Sequence, residues 1–338
     1  MNATASIIIL NWNGRPYLEG CLSSVMAQTY PDFEVVLVDN GSTDGSTEFV
    51  ARRFPQVRII RHDENLGFAA GNNAAIRATR SLYIATLNND ARAEPAWLAE
   101  LVEAMESDAQ VGMCASKMLY AHRPEVIDSA GLSPDVAGIA WNRRWGERDR
   151  GDDAGPMEVF GACAGAALYR RAMLDQIGLF DEDFFAYLED ADLAWRARLA
   201  GWKCLYVPTA VAHHVHSATG GVGSPFKNYL LGRNKIWTIV KNYPGPQLFC
   251  YLPLIVAYDL AAVAYGLLVR GDMSPLRGRL AALHALPTMW RKRRAIQRQR
   301  VVPFADLARH MSPLQSPLSV LRRARSLPGP SEVVPSSG

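Results

Sequence analysis

Val35-Val36-Leu37-Val38-Asp39-Asn40-Gly41-Ser42-Thr43-Asp44-Gly45-Ser46 is a strand that runs into a polar turn, and a helical pattern follows over Ser46 to Arg53. The same order repeats on both sides. Ile7 to Leu10 reads as the strand before it, Val57 to Ile60 as the one after, and Tyr83 to Leu87 as a fourth, with helical patterns over Leu18 to Ala27 and Ala70 to Arg80 between them. Alternation of this kind implies an α/β layered fold with a largely parallel sheet. Ligands of such sheets bind at the carboxyl ends of the strands. Three of those ends carry polar clusters: Asn11-Trp12-Asn13-Gly14, Asp39 to Asp44, and Asn88-Asn89-Asp90.

The chain has 338 residues, 49% hydrophobic and 20% charged, enough for one large domain or a domain with an appendage. A net charge of +3 does not mark a nucleic-acid binder, but Arg291, Lys292, Arg293, Arg294, Arg298 and Arg300 form one basic run. Cys21, Cys114, Cys163, Cys204 and Cys250 are scattered and free of CxxC spacing, which fits a reducing compartment better than a disulfide framework. Ser6 to Leu10 is short, lacks preceding basic residues, and reads as a strand and not a secretory leader. The Arg-, Asp- and Gly-rich stretch from Trp141 to Pro156 reads as a mobile loop, and Phe160 to Arg170 as a Gly/Ala-rich strand-like stretch.

Glu189-Asp190-Ala191-Asp192-Leu193 places three carboxylates at the start of a helix that Gly201 ends, before a strand over Trp202 to Val207. Acids in a first turn complement the helix dipole, and the same dipole is expected to lower their pKa values. Asp39 at a strand end is an acceptor for the imide N–H of uracil or thymine, with Trp12 positioned to stack on a base. Its other reading is an Asx turn capping the next helix, a task open also to Ser42 or Asp44. Asn65-Leu66-Gly67-Phe68-Ala69-Ala70-Gly71-Asn72-Asn73 opens a helix with glycines and amides; N–H groups at such a start suit a diphosphate, although no GxGxxG is present. Asn88-Asn89-Asp90 offers oxygen ligands for a hard divalent ion shared with phosphate, or simply a good turn. His213 and His214 point to opposite sides of a strand, so a three-histidine zinc site that includes His216 is disfavoured.

Taken in order, Ser6 to Asn13, Val38 to Ser46, Asn65 to Asn73, Leu87 to Asp90 and Glu189 to Leu193 resemble the successive motifs of the inverting family 2 glycosyltransferases, closest to the rhamnosyltransferase-like branch of bacterial cell-surface glycan synthesis. The resemblance covers roughly residues 5 to 235. It implies a GT-A fold, an αβα sandwich with a mostly parallel mixed sheet. It also implies a dTDP- or UDP-sugar donor, with Asp39 on the pyrimidine, Asn11, Trp12 and Asn13 about base and ribose, and Gly67 and Asn72 along the diphosphate. Asp90 stands at the last acid of the DXD motif, which holds Mg²⁺ or Mn²⁺, with Asn88 in place of the first acid and Asn89 between them. His214 matches the histidine near the metal. Asp190 matches the catalytic base, with Glu189 and Asp192 as positioning groups or as the base itself, and Arg233, beside Asn234, resembles an arginine that meets phosphate. Two other readings remain: a non-catalytic nucleotide-sugar-binding subunit, favoured by Asn88, and a metal hydrolase built on the histidines.

The expected division is a catalytic domain over 1–225, a helical membrane-associating region over 226–310 and a disordered tail over 311–338. Leu248 to Val269 is almost continuously apolar and about long enough to span a bilayer, interrupted by Pro253, Asp259 and Gly266. A mid-membrane Asp259 would cost on the order of 2.5–3.5 kcal/mol. The expectation is therefore a helical hairpin on or dipping into the cytoplasmic face of the inner membrane, with Trp290 and the basic run against anionic headgroups. The competing reading buries the helix on the core or in a homo-oligomer interface. A membrane location implies a lipid-linked or polysaccharide acceptor. Nucleic acid is not an expected partner, since the basic run lacks interleaved aromatics.

Overall fold

The structure, a computed structural model, describes residues 3–215 and 223–315. The first half is β1 (Ala5–Asn11), α1 (Arg15–Met26), β2 (Phe33–Asn40), α2 (Ser46–Arg53), β3 (Arg58–His62), α3 (Gly67–Ala78) and β4 (Tyr83–Leu87). Strands β3, β2, β1 and β4 lie side by side in that order and are parallel throughout. The sheet continues through β5 (Ala91–Ala93), α4 (Trp97–Glu106), β6 (Val111–Tyr120), β7 (Arg123–Ser129), a small hairpin of β8 (Leu132–Pro134) and β9 (Ala140–Asn142), β10 (Met157–Val159), β11 (Ala166–Arg170), α5 (Arg171–Ile177), α6 (Glu189–Leu199) and β12 (Lys203–His214). The full order β10-β12-β6-β11-β4-β1-β2-β3 makes a mixed sheet, because β11 runs antiparallel to both neighbours.

Successive strand residues separate onto the two faces, as the period of two requires. Ile7, Ile9, Val35, Leu37, Ala85 and Leu87 pack with Leu18, Leu22, Val50, Trp97 and Leu101 of α1, α2 and α4. Ile8, Val36, Val38 and Ile84 pack on the other side with Ala75, Ile76, Leu174, Leu193 and Trp195 of α3, α5 and α6. Three layers result, the αβα sandwich expected of a GT-A-like fold. Between Trp141 and Pro156 the structure departs from the expected mobile loop. Buried Lys117 pairs with Asp149 and Asp153 at 3.1 and 2.9 Å, Arg144 pairs with Asp153 at 2.8 Å, and the segment is thereby tied to β6. Phe160 to Arg170 is strand only at its end, since Phe160 to Gly165 is irregular.

Five helices complete the described residues: α7 (Pro225–Asn242), α8 (Gly245–Arg270), α9 (Ser274–His284), α10 (Leu286–Arg298) and α11 (Phe304–Ala308). Helix α7 packs on α6 through charge as well as apolar contact. Asp192, fully buried, meets Lys241 at 2.7 Å, Arg196 at 2.9 Å and the Asn242 amide at 2.8 Å. Lys241 also pairs with Asp181, and Lys292 of α10 pairs with Asp181 and Asp183. The basic run is thus divided: Lys292 and Arg293 turn inward, Arg293 donating to the Val240 and Tyr243 carbonyls at the end of α7, while Arg291, Arg294 and Arg298 are exposed.

Helix α8 does not pack as a core helix would. Only 11% of its most apolar 18-residue window is buried, and Phe249, Leu260 and Leu268 are 72%, 65% and 86% exposed. Asp259 turns inward to Lys235 of α7 and Arg279 of α9, so its charge is neutralised by the protein.

Burial opposes ionisation of Asp192, but Lys241 and Arg196 outweigh it and hold its pKa below the ordinary carboxylate value. The stability it contributes is present above the unfolded-state value near ~3.9 and is lost as pH falls through the folded one. Asp192→Ala is expected to cost about 3–5 kcal/mol at pH 7, because Lys241 and Arg196 lose a buried partner. Urea unfolding of the two proteins checks this, and the gap should narrow below about pH 4.

Candidate active site

Parallel strands present their carboxyl ends along one edge, and the strand order reverses between β1 and β4, where a crevice opens in doubly wound sheets. Asn11 ends β1 in register with Asp39 of β2. The Asn11 amide donates to Asp39 Oδ1 at 3.3 Å and to Ser42 Oγ at 3.1 Å, and its oxygen accepts from the Asn89 amide at 2.8 Å. Asp39 Oδ2 accepts from the Ser42 backbone at 3.3 Å. Capping of α2 falls to Asp44, which accepts from the Ser46 backbone at 3.1 Å, so Asp39 is not needed for it. Asn13, at φ +51°, joins the two loops: its N–H donates to Ser42 Oγ and its side-chain oxygen accepts from the Thr43 backbone. Beside this network the Trp12 side chain is exposed.

After β4, Asn88 and Asp90 converge on His214. His214 Nε2 lies 3.2 Å from Asp90 Oδ1 and 3.1 Å from the Asn88 amide nitrogen, while Nδ1 is 2.7 Å from Asp128 Oδ2. Burial works against a charge on this imidazole, yet Asp90 and Asp128 raise its pKa to about 10. The site therefore favours positive charge. A divalent ion between Asp90 and His214 would replace the shared proton, and Asp128 orients the ring as carboxylates orient metal-binding histidines. Among the described residues no group of three or more His, Cys, Asp and Glu side chains is arranged to hold a metal alone, so an ion here would need further oxygen ligands from outside this set. His213 turns the other way, to Glu94 at 2.9 Å, and His216 lies outside the described residues.

The acidic helix start adjoins this cluster through the irregular segment before β11. Asp190 Oδ2 accepts from the Ala164 backbone at 3.2 Å, and the next residue, Gly165, accepts from the Asn88 backbone at 2.9 Å. The Cys163 thiol is pushed well up by burial first and then by the charge of Asp190, with smaller contributions from Asp128 and Glu189. Helix α6 does not lower the pKa of Asp190, contrary to expectation. Burial raises it, against the N–H groups of Ala164 and Ala191. Glu189 is raised well above its ordinary value by burial and then by Asp190, and its Oε2 has no hydrogen-bond partner among the described residues.

Other expected site residues are placed differently. Asp192 faces Lys241 and Arg196 in the interior, which removes it as a base. Arg233 donates through Nη2 to the Asp183 and Phe184 carbonyls at 3.0 and 2.9 Å and lies 4.2 Å from the Trp237 ring centre, so this edge of its guanidinium is engaged by the loop before α6. Gly67, at φ +83°, approaches Phe185 so closely that a Cβ would come within 2.5 Å of the Phe185 oxygen. Its N–H donates to Asn65, the Ala69 N–H donates to Phe185, and buried Asn72 donates to Phe68, so two of the first N–H groups of this helix and the Asn72 amide are taken by protein. Sequence reading missed Asp128, which sits in β7 within no recognisable motif, and the Ala164–Gly165 backbone, whose role is carried by N–H and C=O groups.

This fold, with its polar strand ends and acid-bearing helix, defines a GT-A-like glycosyltransferase. A family model for glycosyl transferase family 2 matches residues 6–178, just over half of the chain, and the chain belongs to that family. The N-acetylglucosaminyl-diphospho-decaprenol L-rhamnosyltransferase of Mycobacterium tuberculosis is 29% identical over 246 residues, 65% of this chain and 79% of that protein. The O-antigen biosynthesis protein RfbC of Myxococcus xanthus is 29% identical over 257 residues, 71% of this chain and 19% of RfbC. Among solved structures, the Pyrobaculum calidifontis mannosyltransferase PcManGT, in complex with GDP-Man and Mn²⁺, superimposes with a TM-score of 0.53 at 19% identity, covering 88% of this chain and 86% of that one. S. aureus TarS 1-349 gives 0.56 at 17% identity, covering 87% and 90%. At these identities the structures speak to the fold alone.

Because the folded-state pKa of Glu189 is raised, its contribution to stability is present below the unfolded value near ~4.3 and is lost as pH rises through the folded one. Glu189→Gln should therefore match the parent protein near pH 4 and melt about 2–4 °C higher at pH 8, the shift that roughly 1 kcal/mol produces in a domain of this size. Thermal scans across pH read the crossover.

Proposed function

We propose that the protein is an inverting, divalent-metal-dependent glycosyltransferase that moves L-rhamnose from dTDP-rhamnose to a lipid-linked or polysaccharide acceptor of a cell-envelope glycan. The observation that carries this reading is the Ala164–Gly165 segment, which fixes Asp190 by one peptide unit and Asn88 by the next. A carboxylate of raised pKa is thereby held beside the polar group at the end of β4. The name of the mycobacterial relative supports the donor sugar and the lipid-diphosphate acceptor.

In this reading Asp39 accepts from the pyrimidine imide, Trp12 stacks on the base, and Asn11, Asn13 and Asn89 hold the β1 and β2 loops around it. Asp90 and His214 would hold Mg²⁺ or Mn²⁺, with Asn88 beside them. Such an ion, when bound, neutralises the diphosphate charge as the sugar–phosphate bond breaks. Inversion requires one in-line displacement, so a single base is enough. Asp190 takes the proton of the acceptor hydroxyl as that oxygen bonds to the anomeric carbon, and its raised pKa makes it a stronger base than an ordinary aspartate. The fixation of Asp190 by the Ala164 backbone disfavours a non-catalytic binding subunit.

We assign residues 1–225 to catalysis, with α7 as an added buttress, residues 226–310 to membrane association and 311–338 to a tail, of which 316–338 lie outside the described residues. Helix α8 lies on the cytoplasmic face of the inner membrane: its exposed Phe249, Leu260 and Leu268 supply apolar area, and Arg291 and Arg294 with Trp290 meet anionic headgroups. This placement agrees with the inward turn of Asp259.

Asp190→Asn is expected to lower rhamnosyl transfer by about 10²–10⁴-fold with dTDP affinity unchanged, whereas Asp39→Ala should lose nucleotide affinity first. Calorimetric titration with dTDP, alongside turnover before and after chelation and Mn²⁺ readdition, separates these effects. Full turnover by Asp190→Asn would remove Asp190 as the base. In vesicle flotation, Leu260→Glu with Leu268→Glu should weaken membrane binding at least tenfold, since each leucine contributes roughly 1.5–3 kcal/mol when buried.

A further inference from the structure

The loop that delivers the acidic helix start is held in an unfavourable backbone conformation. Five non-glycine residues among those described have positive φ, and three of them, Phe185, Tyr187 and Leu188 at +64°, +66° and +67°, fall within four positions immediately before Glu189 and Asp190. Bulky side chains in this region cost on the order of 1–3 kcal/mol each and persist only where surrounding contacts impose them.

Those contacts come from one point on α7. Asn234, fully buried, donates its amide to the carbonyls of Phe184, Ala186 and Tyr187 at 3.0, 2.9 and 2.7 Å. Arg233 Nη2 takes the carbonyls of Asp183 and Phe184, and its Nε donates to Asn234 Oδ1 at 2.9 Å. The last bond fixes which way the amide faces: with its oxygen taken by Arg233, the NH₂ group has to point at the loop. Of the five consecutive carbonyls 183–187, four are thus satisfied from α7, and the fifth, that of Phe185, is satisfied by the Ala69 N–H of α3. The outer side of the loop meets further side chains, Phe226 against Phe185 and Lys227 over Tyr187 at 5.2 Å.

We propose that Asn234 and Arg233 are the positioning residues of this transferase: together they hold residues 184–188 in the left-handed turn that aims Asp190 at the acceptor hydroxyl. The inference rests on Asp190 being the base, and it gives Arg233 a task other than phosphate binding. Removing the amide leaves the part-buried Ala186 and Tyr187 carbonyls without their α7 donor and Phe184 with Arg233 alone, so the loop relaxes toward ordinary φ values and the carboxylate drifts. A misplacement of about 1 Å is enough to cost roughly 100-fold in rate.

The test uses the full chain, with rhamnosyl transfer, dTDP titration and amide hydrogen exchange measured on each variant. Asn234→Ala should lower kcat about 10–100-fold, leave donor KM and dTDP affinity within about twofold, and speed exchange of amides 184–188. Arg233→Lys, which keeps the charge but not the fork, should fall between Asn234→Ala and the parent in both kcat and exchange. Ile239→Ala, on the same helix but facing the core, controls for stability: it should lower Tm while kcat and loop exchange hold. The proposal is overturned if Asn234→Ala keeps kcat within twofold, if its loss merely tracks Tm as in Ile239→Ala, or if Arg233→Lys weakens dTDP binding with loop exchange unchanged. If Asp190→Asn turns over normally while Asn234→Ala still loses kcat and loosens the loop, the base assignment fails and the clamp stands.

Discussion

Asp192 is ionised where water does not reach it, and the position of the acidic helix depends on that charge being shared. Burial of a carboxylate is costly unless several partners converge on it; here Lys241, Arg196 and Asn242 do so from two helices. Lys241 is itself fully buried and carries the chain of pairs onward to Asp181, from which Lys292 connects α10. The consequence is geometric. A purely apolar α6–α7 contact could slide with little change in energy, whereas paired charges of fixed reach define one register between α6, which bears Asp190, and α7, which bears Asn234.

That register explains why three acids within four positions behave so differently. Asp192 points into the interface and is held ionised by cations. Glu189 and Asp190, three and two positions earlier, have no cation bonded to them among the described residues and are pushed toward the neutral form by burial, Asp190 less so because two backbone N–H groups reach it. The helix N-terminus does not decide the outcome, since desolvation acts over the whole group while the dipole acts only through the N–H groups actually in contact. Local sequence presents all three as equivalent first-turn acids. Only the facing helix tells them apart.

The same distinction separates what was legible in the sequence from what was not. Helix Ser46–Arg53 and strand Tyr83–Leu87 fall where periodicity places them, because each buries a regular apolar face. Asn11, Asp39 and Asn88 to Asp90 were legible as candidates because strand ends in parallel sheets gather on one edge, a rule of topology. Strand β6 went unread: Val111 to Tyr120 is buried throughout but includes Gly112, Cys114, Ser116 and Lys117, and Lys117 is tolerated only because Asp149 and Asp153 reach it from a loop more than thirty positions later. Arg233 was misread for a related reason. An arginine near a proposed phosphate site invites a phosphate contact, and nothing in the local sequence reveals that backbone carbonyls of residues 183 and 184 take its donors first.

In the C-terminal helices, composition described the outside of the molecule better than the inside. An isolated helix with Asp259 at its centre would carry an unpaired acid into the bilayer, which argues for a helix that avoids the membrane. Lys235 and Arg279 change that: they meet Asp259 on the protein side and leave Phe249, Leu260 and Leu268 on the other. The charge that seemed to oppose membrane contact instead fixes which face of α8 turns away from the protein. The basic run divides by the same logic, its inward members bonding the acidic loop and the end of α7 while its outward members stay in solvent. Helices α8 and α10 therefore each have an inner face that bonds charge and an outer face left over, and in both the outer face has the composition that a lipid–water boundary accepts.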